Sequence, residues 1–364
     1  MKKLLSVLLL SLIWSGCLAA EKLFVIERED SSLAVIVGNR LVNRIPDMHN
    51  FNHAVVKFYK DEGFAITRDG YVIKFDPVAE KKLKEYRTSK SAIGFIVTPR
   101  YLAIANYDNK TVEILDHDLN PVQTIETGSK NVGIKHYRNY LVFALMDKDS
   151  LWVMEDTAAD KPLPKFSVKK KFENVGVAPF DAMLDGHFYI AGFFNSPYVG
   201  VIDLEKLTFR KLPLQLGDKK PVLKVPHFGF WSLSGDKKFI PAVGDNRVFV
   251  FGKDFKYITS IETEGLPVFT SLSPDKRYLA VTFSGKHFPI VQIIDTSSLK
   301  VIERLEFSGK ILHLRWSKEK PLLYFSNNSD NKLEAVNTSS WQRVFEVPVR
   351  HPSGIFIHDS SRRD

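Results

Sequence analysis

Residues 92–128 read AIGFIVTPRYLAIANYDNKTVEILDHDLNPVQTIETG. Four short β-rich runs are visible in them: IGFIV (93–97), YLAIANY (101–107), TVEIL (111–115) and VQTIET (122–127), separated by turn residues. Asp108-Asn109 between the second and third runs suits a turn with φ > 0. The third run ends on Asp116, and the same ending recurs along the chain. YVIKFDP (71–77), YVGVIDLE (198–205) and IVQIIDTSS (290–298) all pass from apolar alternation to a turn residue. Taken as register marks, Gly38, Asp76, Asp116, Asp156, Asp203, Gly252, Asp295 and Asn337 are spaced by 38, 40, 40, 47, 49, 43 and 42 residues. A repeat near 40 with four strands per unit predicts an all-β fold, an eight-bladed β-propeller.

The first unit has only three strands before the next begins, namely LFVIE (23–27), LAVIV (33–37) and 41–45. Its missing inner strand is expected from the C-terminus, Gly354–His358, so that the ring closes by pairing the C-terminal strand with the N-terminal blade. No linker or composition shift divides the chain, and residues 21–364 are read as one domain.

The 364 residues are 44% hydrophobic, 26% charged and 12% aromatic, which excludes disorder and low-complexity chains. A formal charge of +9 comes from scattered lysines more than clustered arginines, so no nucleic acid is expected as a partner.

Residues 1–20 read as a secretory signal: Lys2-Lys3, then an apolar run from Leu4 to Trp14, then small residues. That run is far short of the ~20 residues a membrane span needs. Cys17, the sole cysteine, follows Ser-Gly as in a lipobox, so lipid on Cys17 would tether a periplasmic protein to the membrane. Ordinary cleavage near Ala19 or Ala20 is the alternative. Either way no disulfide is expected.

The sequence contains no G-x-S-x-G, H-E-x-x-H, G-x-x-x-x-G-K-[ST] or G-x-G-x-x-G, and no His/Cys ligand cluster. Ser284-Gly-Lys286 and Ser308-Gly-Lys310 read as hairpin turns. In a propeller, the turns between the second and third strands and the links between blades share one face around the channel. That face should gather His49, His53, Arg68 and Asp69, then Asn106, Tyr107 and Asp108, then Asp147, Lys148 and Asp149. Phe194, Asn195, Asp245, Asn246, His287 and Asn328 follow further round, with Asp181 and His227 at inner strands. Arginine and lysine for carboxylates, aromatics for a flat ring and histidine for a metal suit an anionic metallotetrapyrrole.

At these residues the sequence resembles the haem d1 propeller of cytochrome cd1 nitrite reductase and its relatives. HAVVKF (53–58) with TRDGYVIKFD (67–76) is similar to that family's opening blade. ANY (105–107), FAL (143–145), VAPF (177–180), VPH (225–227), LPVF (266–269) and PSGIF (352–356) are closer to the NirF branch of periplasmic haem d1 biosynthesis proteins. The reductase's c-type haem would need C-x-x-C-H, which is absent, so nitrite reduction is not expected. The resemblance implies a cofactor or substrate, haem d1 or dihydro-haem d1, held by His53, Arg68, Tyr107, Asn106 and His227. His53 matches the proximal iron ligand and is the metal-ligating candidate; Arg68 matches a propionate-contacting arginine. Asp147 and Asp181 fall where the reductase has distal histidines, which makes His53, Asp147 and Asp181 the candidate catalytic groups. The implied partners are the haem d1 precursor, cytochrome cd1 nitrite reductase and the final maturation enzyme, with a homodimer as one state. A tetrapyrrole-modifying enzyme, a non-catalytic carrier and a protein-binding propeller all remain open at this point.

Overall fold

The computed structural model describes residues 21–214, 232–233 and 235–358. Among them the strands form eight four-stranded antiparallel sheets, the blades of a propeller. Cys17 and His227 lie outside the described residues. We letter each blade's strands A to D from the channel outward. Blade 2 is typical: A is Val55–Tyr59, B is Glu62–Ile66, C is Tyr71–Asp76 and D is Lys81–Arg87.

Strands B and C are sandwiched by neighbouring blades, so they are apolar on both faces rather than alternating. Leu102–Asn106 and Thr111–Leu115 of blade 3 are buried at every position. Strand D is the outer edge, and its sequence changes accordingly. KKLKEYR (Lys81–Arg87) and FSVKKKF (Phe166–Phe172) put lysines where an exposed edge would otherwise recruit another chain.

The repeating turn residue has a mechanical explanation. It stands at the end of strand C, and where it is Asp or Asn its side chain caps the C-to-D turn. Asp76 Oδ1 accepts from the N–H groups of Val78 and Ala79, and Asp203 Oδ1 from those of Glu205 and Lys206. Asp295 does the same for Ser297 and Ser298, and Asn337 for Ser339 and Ser340. The turn at Asp108-Asn109 differs from expectation in detail: the left-handed residue is Lys110, at φ 59°. The segment at 284–286 joins two paired strands as read and opens a short 3-10 turn, Gly285–His287, but 308–310 is not a hairpin turn: it links strand D of blade 7 to strand A of blade 8.

Ring closure follows the expected route. Pro352–His358 forms strand A of blade 1 and pairs antiparallel with Lys22–Glu27, with Leu23 opposite Ile357 and Val25 opposite Ile355. Ile355 then packs among Leu23, Val25, Leu333 and Tyr324, which joins blade 8 to blade 1.

Candidate functional site

One face of the ring carries the B-to-C turns and the links between blades. The link from blade 1 to blade 2, residues 46–54, is pinned from both sides. Met48 and Phe51 are fully buried, Met48 N donates to Ser31 O at 2.8 Å, and Arg68 N donates to Asn50 O at 2.9 Å. Asn50 N in turn donates to Asp69 Oδ1 at 3.3 Å. Asp47, His49 and His53 all adopt left-handed φ (58°, 59°, 57°), as does Ser31 across the contact at 51°. Such backbone costs energy in non-glycine residues, and here buried anchors and hydrogen bonds hold it. The result is that His53 stands exposed on a tightly held link.

Partial desolvation by the surrounding link, and then the Arg28 and Arg68 cations, hold the His53 pKa below its ordinary 6.5. The imidazole is therefore mostly neutral at pH 7, the state in which a nitrogen can ligate iron. Arg28 itself donates to Asn52 Oδ1 of the same link.

From His53 the site continues blade by blade. Arg68 lies in the B-to-C turn of blade 2, where Gly70 at φ 85° runs so close to Ser89 O that a Cβ would come within 2.2 Å. That approach brings the Arg68 guanidinium onto Ser91 Oγ and 5.6 Å from the centre of the Tyr107 ring. Lys130 lies 5.3 Å from the same ring, so Tyr107 interacts with two cations. The Tyr107 hydroxyl donates to Met146 Sδ at 3.6 Å, in the turn that holds Asp147. Asp147 Oδ2 accepts from Lys130 N at 3.1 Å, and the Lys110 and Lys130 ammonium groups are each 3.7 Å from its carboxylate. His53, Arg68, Tyr107 and Asp147 are thus gathered on one face across blades 2 to 4.

Other candidates sit elsewhere. Asn106 is fully buried inside blade 3, where its amide bonds Thr88 Oγ1 at 2.8 Å and Thr111 Oγ1 at 3.0 Å; it does not reach the mouth. Asp181 is the third residue of strand A in blade 5 (Pro179–Asp185), on the inner wall, close enough to act on Lys135 and Tyr189. His49 turns outward, stacked on Tyr71 at 3.7 Å with Nε2 2.8 Å from Glu85. Asp69 accepts from Asn50 N and from the Thr67 hydroxyl, and Asp149 Oδ1 accepts from Ala178 N at 2.8 Å. Lys148 donates to Thr127 O at 2.6 Å, and Asp245 pairs with Arg247 at 2.8 Å. Phe194 packs edge-on to Phe180 at 4.8 Å, and Asn328 donates to Pro352 O at 3.1 Å.

Sequence reasoning missed Arg28, Lys130, Lys57 and Lys135. Arg28 occupies a B-to-C turn like those of Arg68 and Asp147, and Lys130 a link between blades like that of His53, so both were open to the same register logic. The two inner-strand lysines carried no such signal. Among the described residues no group of three or more His, Cys, Asp or Glu side chains is placed to enclose a metal ion. A single histidine fits an iron already held by a macrocycle better than a bare ion.

Comparison with known proteins gives the family and the fold. The sequence profile of the family described as "Cytochrome D1 heme domain" matches residues 19–361. Protein NirF of Pseudomonas aeruginosa is 29% identical over 357 residues, covering 91% of this chain and 90% of that protein. Protein NirF of Stutzerimonas stutzeri is 28% identical over 359 residues, covering 92% and 90%. Among solved structures, the dihydro-heme d1 dehydrogenase NirN, in complex with the ligand DHE, superposes with a TM-score of 0.78 at 20% identity, over 92% of this chain and 74% of that one. AztD from Citrobacter koseri shares the fold at TM-score 0.71 and 13% identity, over 93% and 98%.

Proposed function

The chain belongs to the cytochrome D1 heme domain family, and on that premise we propose that it binds haem d1 or dihydro-haem d1 over the channel mouth, as a maturation protein in haem d1 biosynthesis. The observation that carries the reading is the contiguous array of His53, Arg68, Tyr107, Lys130 and Asp147 on one face. The likeness to NirF over nine-tenths of the chain supports it, as does the fold shared with a dihydro-heme d1 dehydrogenase.

The tetrapyrrole is substrate or cargo here, bringing an iron with axial positions and a rim of carboxylates. His53 offers a neutral imidazole to the iron. Arg68 offers a preoriented guanidinium to a carboxylate, a charge-assisted contact of about 1.5–3 kcal/mol. Tyr107 offers an aromatic surface beside the ring. Asp147 stands on the same face as His53, and the two could pass a proton to and from the bound ring.

A second reading is a carrier that hands the ring to cytochrome cd1 nitrite reductase or to the final maturation enzyme. The contacts around Asp147 favour it, since its carboxylate already accepts from Lys130 N and lies near two ammonium groups. We place the protein in the periplasm, held at the membrane by lipid on Cys17. Incubating the purified chain with dihydro-haem d1, then recording spectrum and mass, separates the readings. A changed mass assigns catalysis, an unchanged mass with a shifted spectrum assigns carriage, and no spectral change sinks both.

A further inference from the structure

The TRDG run at 67–70 contains one charged residue that the ring site does not use. Arg68 supplies a cation and Gly70 the close approach to Ser89, but Asp69 bonds instead to the link that carries His53. Its carboxylate lies in a short chain of hydrogen bonds. Tyr71 N donates to Thr67 Oγ1 at 3.0 Å, Thr67 Oγ1 donates to Asp69 Oδ1 at 2.6 Å, and Asn50 N donates to the same oxygen at 3.3 Å. Thr67 is fully buried, so the chain is rooted in blade 2. Bonds in series polarise one another, and an ionised acceptor is stronger than a neutral one.

Asn50 is joined to that turn twice, because its carbonyl also accepts from Arg68 N at 2.9 Å. Its side-chain oxygen accepts from Asn52 N at 3.0 Å. The residue before His53 is therefore tied to Asn50, and Asn50 to the turn that carries Arg68. On the blade 1 side the link borders open space. A cavity of about 530 Å³ lies there, lined by Arg28, Glu29, Ser31, Asn50 and Asn52. The left-handed backbone at His53, φ 57°, has room to relax that way once the blade 2 anchor is gone.

We propose that Asp69 is a positioning residue: its carboxylate locks the link at Asn50, so that His53 and Arg68 meet the bound ring as one preformed unit. This role rests on the function proposed above. Asp69 acts through His53 and needs no contact with the ring. If His53 stood in place only part of the time, apparent affinity would fall by that fraction.

The test compares wild type, Asp69→Ala and Asp69→Asn as full chains. Asparagine keeps an oxygen that can accept from Thr67 and Asn50, and alanine does not. Amide hydrogen exchange of the ring-free chain reads the lock itself. Exchange at Asn50 and Asn52 should quicken about fivefold or more in Asp69→Ala and stay near the wild-type rate in Asp69→Asn. Dihydro-haem d1 affinity should fall about fivefold in Asp69→Ala and hold in Asp69→Asn, with the saturated spectrum unchanged in both. The same alanine change made in His53→Ala should cost less than about twofold, since no imidazole is left to position. If Asp69→Ala does not fold by circular dichroism, Asp69→Ser, which lacks the carboxylate's reach, takes its place. Equal exchange in wild type and the alanine variant overturns the lock. Faster exchange with unchanged affinity, or an equal affinity loss in the His53→Ala background, overturns the positioning of His53. Wild type that binds no ring, with the exchange difference intact, keeps the lock and removes the proposed function.

Discussion

A guanidinium already held against Ser91 and the Tyr107 ring needs little ordering when a carboxylate arrives. Arg68→Ala should therefore weaken dihydro-haem d1 binding by roughly tenfold or more, while the absorption bands of the bound ring keep their shape. His53→Ala should do the reverse at saturating ligand: the bands and spin state change because an axial ligand is gone. The pH dependence separates ligation from a packing role. The folded His53 pKa lies below 6.5, lowered by burial and by Arg28 and Arg68, so the imidazole protonates only in more acidic solution. Wild-type affinity should hold from pH 7.5 to 6.5, then fall with further acid, and His53→Ala should lack that acid limb. An identical limb in the variant would remove His53 as the ligand. Asp147→Asn should leave affinity near wild type. Product formed at the wild-type rate by that variant excludes Asp147 from catalysis.

Strand boundaries in this chain depend on side chains that satisfy backbone. The C-to-D turns were legible because in most blades an Asp or Asn at the end of strand C accepts from N–H groups shortly after it, which leaves a mark in the sequence, and glycine takes that place at 38 and 252. Glu27, at the end of strand B in blade 1, was not legible in that way. It is fully buried, and it accepts from Ser32 Oγ at 2.5 Å, Arg44 Nε at 3.0 Å and Arg350 N at 3.0 Å. Arg350 lies 323 residues away in sequence, so no local pattern announces the contact. Burial raises the Glu27 pKa, but these donors outweigh it and leave the carboxyl below its ordinary 4.5. The sign follows: a depressed carboxyl pKa stabilises the fold above pH 4.5, and that stability is lost as pH falls through the folded value. Glu27→Gln should cost about 1–3 kcal/mol at neutral pH, measured by urea unfolding, and the cost should shrink toward pH 3. A cost that stays constant to pH 3 would show that charge is not what matters there.

Closure of the ring makes the two ends of the chain interdependent. Pro352–His358 is hydrogen-bonded to Lys22–Glu27, and Ile355 and Phe356 are buried. A chain ending at residue 351 forfeits about 1.5–3 kcal/mol for each of those side chains, besides a full ladder of hydrogen bonds. It also leaves the inner edge of blade 1 open. It should lose cooperative melting and become sensitive to protease; a sharp transition near the wild-type Tm would show that the ring closes without that strand. Attachment to the membrane tests separately. Cys17→Ala should release the protein from the membrane fraction or block its processing, and a native N-terminus found at Glu21 without lipid would assign ordinary cleavage.

The blade count was written in local chemistry: two-sided apolar runs, capped turns and a repeat near 40 residues are properties of neighbours in sequence. The closing strand could be read from the same count, because the first unit is one strand short and the C-terminus has one to spare. Membership of the family was legible too, in motifs such as TRDG at 67–70 and PSGIF at 352–356. The tertiary structure alone decided which polar side chains face the mouth. Asn106 and Tyr107 are adjacent, yet strand alternation at the end of blade 3 buries one amid Thr88 and Thr111 and sets the other beside Arg68 and Lys130. It alone set the Asn50 amide on the Asp69 carboxylate, because they are 19 positions apart and meet only where the link between blades passes the B-to-C turn of blade 2. Electrostatic contact depends on distance in space, and in a ring of blades that distance is fixed by closure rather than by sequence separation.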